Sequence, residues 1–332
     1  MRILGHSRTL SVTAVLIAAC GAALPAGADA VIAESDLVVE ARWWLVEPRG
    51  AGLDYAFIDD SASLSGGGRL QALEADAESA FVFRIGWRFG AEDGPELSAR
   101  FWELETDFAD GTGTLTRQVG ALLASPDFAI GRSLVDRASA FSQLRASTVD
   151  VTLSWTRSLG DHTELGLELG GRAYRYEQVT VVDYRLDSGS TRFEEIVNRR
   201  VDARGVGPLG AVRFGYRAGP RVSVRARLGL AAMFGDVDAT ATDTSLIDGS
   251  VDRVSVVDRA RGEQTALQLE GSVFVDVRLS GRLDAYVGYA FSAWPDIAVD
   301  QRFVDDVSQN TTLPVDRTVT FHGLWAGLSL AF

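Results

Sequence analysis

Apolar and polar residues alternate in segment after segment of this chain. Examples are Phe81, Phe83, Ile85, Trp87 and Phe89, then Val149, Val151, Leu153 and Trp155, then Val222, Val224, Ala226, Leu228 and Leu230. A period of two places each set on one face of a β-strand. Ten strands are predicted, at 37 to 47, 79 to 90, 96 to 106, 147 to 158, 164 to 176, 206 to 217, 222 to 235, 264 to 279, 282 to 293 and 318 to 332. Beyond residue 30 no apolar run approaches the ~18 residues of a membrane helix.

The connections alternate short and long. Short ones fall at Ala91 to Pro95, Leu159 to Thr163, Ala218 to Arg221 and Ser280 to Gly281. Long ones run 48 to 78, 107 to 146, 177 to 205, 236 to 263 and 294 to 317. An even number of strands with short turns at one end and long loops at the other predicts an all-β fold, an antiparallel transmembrane β-barrel with periplasmic termini and turns. A soluble β-sandwich shares the alternation but has little reason for such regular loop lengths. Twelve strands is the alternative, because 107 to 146 contains FAIGRSL and ASAFSQL, apolar enough for a short helix or an extra hairpin.

If the apolar parity faces lipid, the opposite parity lines the lumen. That set is Glu40, Arg42, Arg84, Arg88, Arg100, Asp150, Glu168, Arg172, Arg213, Arg225, Arg227, Glu270, Asp276, Arg278 and Asp284, nine basic and six acidic residues. A charge facing lipid near the midplane costs about 2 to 4 kcal/mol, so a barrel requires this parity. Inside, opposite charges on neighbouring strands can pair, and an Arg-rich passage favours anions. Ten strands lie near the size at which side chains fill the interior, which favours a filled or gated lumen over a wide pore. Trp43, Tyr216, Tyr289, Phe291 and Trp294 sit at strand ends, as interface girdles do.

The last strand alternates Thr320, His322, Leu324, Ala326, Leu328, Leu330 and Phe332 with Phe321, Gly323, Trp325, Gly327 and Ser329. A terminal aromatic on such a strand resembles the signal that outer-membrane barrels present to the barrel-assembly machinery, with Phe332 as the assembly signal.

The first 30 residues read as a secretory signal peptide: Arg2 and Arg8, an apolar run from Leu10 to Leu24, Pro25, and a small-residue site at Ala28-Asp29-Ala30. A lipoprotein cleavage box ending at Cys20 is the alternative. Cys20 is the only cysteine, so cleavage at Ala30 leaves residues 31–332 as the barrel domain without thiol chemistry. The whole chain has 32 basic and 45 acidic residues; the mature part has 30 and 44, a net charge of -14, which disfavours nucleic acid. Every basic residue is Arg, a bias that also follows from GC-rich coding.

Beyond the signal the only histidines are His162, in a short turn, and His322, with lipid-facing parity; neither suits a general base at the outer rim, so no enzyme is expected. Nor is a metal or cofactor. Asp236, Asp238, Asp243, Asp248 and Asp252 lack EF-hand spacing and read as a solvated acidic loop. Long loops on a rigid barrel also suit an adhesin or receptor.

WWLVEPRGAGLDYAF (Trp43 to Phe57), FRIGWRF (Phe83 to Phe89) and LELGGRAYRYE (Leu167 to Glu177) resemble segments of the Legionella-type pore-forming major outer membrane proteins. The resemblance covers the first half best. It implies an outer-membrane β-barrel with pore-forming activity and brings no catalytic residues. Members of the original group can be rich in cysteine; with none in the mature chain, disulfide cross-linking is not expected here. The first long loop, with Gly52-Leu53-Asp54-Tyr55, is a candidate to fold inward as a constriction. The expected role is passive permeation of small solutes or ions through an Arg-rich lumen in the outer-membrane lipid. The alternative is a closed structural or adhesin-type barrel acting through its loops.

Overall fold

The computed structural model describes residues 36–51, 53–59, 69–89, 94–113, 118–121, 123, 134–303 and 312–332. The signal peptide and Cys20 lie outside the described residues. Ten strands close into a barrel in the order β1 (Asp36–Arg49), β14 (Thr312–Ala331), β13 (Leu283–Phe303), β12 (Ser250–Arg278), β11 (Val222–Ile247), β10 (Thr191–Arg217), β9 (Thr163–Ser188), β8 (Arg137–Ser158), β5 (Glu96–Gly113) and β4 (Glu78–Arg88). β1 pairs antiparallel with both β14 and β4, which completes the ring and leaves no free edge there. The remaining strands β2 (Leu53–Asp59), β3 (Arg69–Leu73), β6 (Gln118–Ala121) and β7 (Leu134–Val135) form a separate small sheet ordered β3-β2-β6-β7.

At the turn end the chain reverses in tight connections. Leu159 N–H donates to Thr163 O (2.8 Å), Ala218 N–H to Val222 O (2.9 Å) and Leu279 N–H to Leu283 O (2.9 Å). Above them the outward side chains are large and apolar, such as Leu165, Leu167 and Leu169 on β9 and Leu228 and Leu230 on β11. This belt is the lipid-facing surface, and about 9 to 11 residues per strand suffice to cross.

Two of the expected long loops are not loops. The stretches 177 to 205 and 236 to 263 continue the ladders of β9, β10, β11 and β12 far beyond the belt, and reverse at Gly189-Ser190 and at Asp248-Gly249. Asp248 (φ 51°) and Gly249 (φ 78°) take the left-handed conformations a tight hairpin turn needs. The ladder continues because the parity inverts. Within the belt apolar residues point out and charges in; beyond it Tyr176, Val182 and Tyr184 point in while Arg175, Glu177 and Asp183 point out. Water replaces lipid outside, so the same strand serves both solvents by exchanging faces.

In the region 107 to 146, ASAFSQL lies inside β8, while β6 and β7 join the small sheet instead of the barrel. Most of FAIGRSL lies outside the described residues. The barrel therefore has ten strands, not twelve.

Candidate functional site

In the turn-end half the inward charges pair into a central cluster with smaller groups beside it. Glu270 on β12 is its hub: it accepts from Arg100 (2.8 Å), Arg172 (2.5 Å) and Arg227. Arg172 also grips both oxygens of Asp150 (2.7 and 2.9 Å), and Arg100 reaches Asp150 at 2.6 Å. Glu168 takes Arg227 (2.8 Å) and Arg213 (3.1 Å). On the other side Glu40 holds Arg84 (2.7 Å) and Arg42, and Arg42 donates to Tyr286 Oη (2.8 Å) and lies 4.3 Å from the Trp325 ring centroid. Nearer the short turns, Arg225 pairs with Asp276 (2.9 Å) and Arg278 with Asp284 (3.7 Å).

All fifteen sequence-predicted residues point inward, and fourteen take part in the pairs just named. The fifteenth, Arg88, pairs with Glu96 (3.5 Å), which also binds Arg84. Glu96 was missed at the sequence level, although it shares the parity of Arg100 on the same strand. With it the lattice holds nine arginines against seven carboxylates, the six expected plus one.

The bond from Arg100 to Glu270 crosses the lumen at this level. β5 and β12 are diametrically opposed in the ring, with four strands between them in either direction. A 2.8 Å contact between their side chains therefore spans the barrel.

Above the lattice lies an aromatic layer. Trp294 stands at the centre, 5.1 Å from Phe321, 5.5 Å from Tyr174 and 5.7 Å from Trp102 between ring centroids, and its indole N–H donates to Ser292 Oγ (2.8 Å). Trp102 also meets Trp44 edge-on at 5.5 Å. The expected girdle role of Trp294 is thus corrected: it is 0% exposed and faces inward, because its parity on β13 is that of Ser292 and Tyr286. Trp43, Tyr216 and Tyr289 do face outward.

The small sheet sits on the loop-end side of the aromatics. Tyr55 of β2 is fully buried; its hydroxyl donates to Asp110 Oδ2 (3.2 Å), which also accepts from Gln71 Nε2 (2.5 Å). Tyr184, inward on β9, donates to Tyr55 O (2.5 Å) and accepts from Leu123 N (3.2 Å). Gln178 donates to Ala51 O (2.8 Å). The described part of the first long loop, β2 and β3, therefore turns inward, held by polar side chains of β5 and β9, while Gly52 lies outside the described residues. Burial and the Asp110 carboxylate push the Tyr55 phenol above its ordinary range, so it stays a neutral donor.

No family model matches the chain. No curated protein matches it either. Among solved structures it is similar to the outer membrane protease OmpT of Escherichia coli (10% identity, 90% of this chain and 97% of that one, TM-score 0.48). It is also similar to the Pseudomonas putida toluene transporter TodX (7% identity, 90% and 89%, TM-score 0.28) and to an anion-selective porin from Comamonas acidovorans (10% identity, 90% and 100%, TM-score 0.22). At such identities no residue role carries across. His162 lies in the turn after β8, and His322 Nδ1 bonds Tyr289 Oη (2.9 Å) on the outer surface.

Proposed function

We propose that this outer-membrane β-barrel is sealed at rest and works as a closed scaffold that presents its extended loop end. The observation that carries the reading is the aromatic level of the lumen. A water-filled pore would leave its wall accessible from inside, yet each of the ten strands contributes a buried inward side chain here, from Trp44 on β1 through Tyr174 on β9 and Ala231 on β11 to Phe321 on β14. The crossing ion lattice below and the small sheet above add two further barriers. On this reading the barrel has no catalytic role.

The test is single-channel recording of the refolded mature chain in a planar bilayer, next to a variant lacking residues 53 to 73. Neither conducts on this reading, since the aromatic layer survives the deletion. Discrete steps from the full chain would overturn it.

Passive permeation of small solutes or ions is the second reading, favoured by the excess of arginine over carboxylate in the lattice. It requires the aromatic layer and the small sheet to move together. If such openings occur, the current favours anions, and Arg225→Gln with Arg227→Gln shifts the reversal potential toward cations. An unchanged potential would place the ion path elsewhere.

A further inference from the structure

At the upper edge of the apolar belt, Arg175 on β9 lies directly opposite Arg204 on β10, both pointing outward. Like charges directly opposite in a sheet repel, so this pair asks for an anion. Arg175 contacts Glu177, while Arg204 is exposed and makes no ion pair among the described residues, although Asp236 faces it across the β11 ladder. On the same face Asp202, the next outward residue of β10, has its own partner in Arg200 (3.8 Å).

The surface beneath the pair is shallow. Ala173 and Gly171 on β9 face Val206 and Pro208 on β10. A Cβ added at Gly171 would meet only Gly207 O, at 3.8 Å. Bulky residues border this strip, Val149 and Val151 on β8 and, on β11, Phe234 opposite Val206. With the short turns in the periplasm, the strip and the arginines face the outer leaflet.

We infer that Arg175 and Arg204 bind the phosphate of an outer-leaflet lipid whose acyl chain lies along the Gly171–Pro208 strip. The guanidiniums supply forked donors for phosphate oxygens, and the strip supplies the apolar contact that a free anion would not use. The site is on the barrel's outer wall and does not depend on whether the lumen conducts.

The experiment titrates the folded, detergent-solubilised mature barrel with diphosphorylated lipid A, its dephosphorylated form, and inorganic phosphate. Wild type is expected to retain the phosphorylated lipid preferentially. At about 1 kcal/mol per arginine near a charged surface, Arg175→Gln with Arg204→Gln weakens that binding about thirtyfold. Gly171→Leu, which keeps both arginines, weakens lipid retention as well. Heat-modifiability on gels shows that each variant is folded. Equal retention of both lipid forms, undiminished binding by the folded double variant, or inorganic phosphate binding as tightly as the lipid would each overturn the assignment.

Discussion

Glu270→Ala is expected to destabilise the folded barrel by about 3 to 5 kcal/mol, because it removes a shared carboxylate from three guanidiniums that are buried or nearly so. Glu270 accepts from Arg100, Arg172 and Arg227, which come from three different strands. Arg100 and Arg172 keep Asp150, and Arg227 keeps Glu168, so part of the network survives. What is lost is the link across the barrel and the charge balance at its centre. The control is Arg278→Gln: this pair with Asp284 is 3.7 Å long and the arginine is 55% exposed, so the expected cost is below about 1 kcal/mol. Urea unfolding in detergent, followed by gel mobility, separates the two. Equal midpoints for the variants would mean that the lattice is solvated and that the lumen is open to water at this level.

The second large effect distinguishes two tryptophans adjacent in sequence. Trp44 is 4% exposed and packs against Trp102, whereas Trp43 is 42% exposed and faces outward. Trp44→Ala removes a buried indole from the aromatic layer inside the barrel and is expected to cost about 3 to 5 kcal/mol. Trp43→Ala exchanges one lipid-facing side chain for a smaller one and is expected to change stability much less. The same unfolding assay reads both. Tryptophan fluorescence gives a second check, since Trp43 is open to quenching by brominated lipid and Trp44 is not. A reversed order of destabilisation would invert the assigned parity of β1.

Strand identity and parity within the belt were legible in the sequence because lipid imposes a rule on each residue separately. Outward positions must be apolar, so the stripe from Phe81 to Phe89 declares its own face, and the charges between its members can only point inward. Fifteen inward charges could therefore be named from alternation alone.

The outer half was harder to read for the complementary physical reason. Where water is the outer solvent, a polar outward face on a strand looks like the composition of a loop, and the continuation of β9 through Val179-Thr180-Val181-Val182 was assigned to a connection. Its inward apolar residues, Tyr176, Val182 and Tyr184, carry the inverted stripe, which becomes visible once the exchange of faces is recognised. Trp294 was misplaced on the same account: an aromatic at a strand end fits a girdle or a core equally well, and only the register of β13 against β14 decides which.

By itself the sequence determined the class of fold, the lipid-facing parity and the list of charges that cannot face lipid, since each follows from local alternation against a known solvent. Tertiary structure alone decided that Arg100 and Glu270 meet across the barrel, that Trp102, Trp294 and Phe321 pack together inside it, and that β2 and β6 from separate loops form one sheet at its loop end. Those facts depend on which strands stand opposite one another in the closed ring, and no pattern along a single strand carries that information.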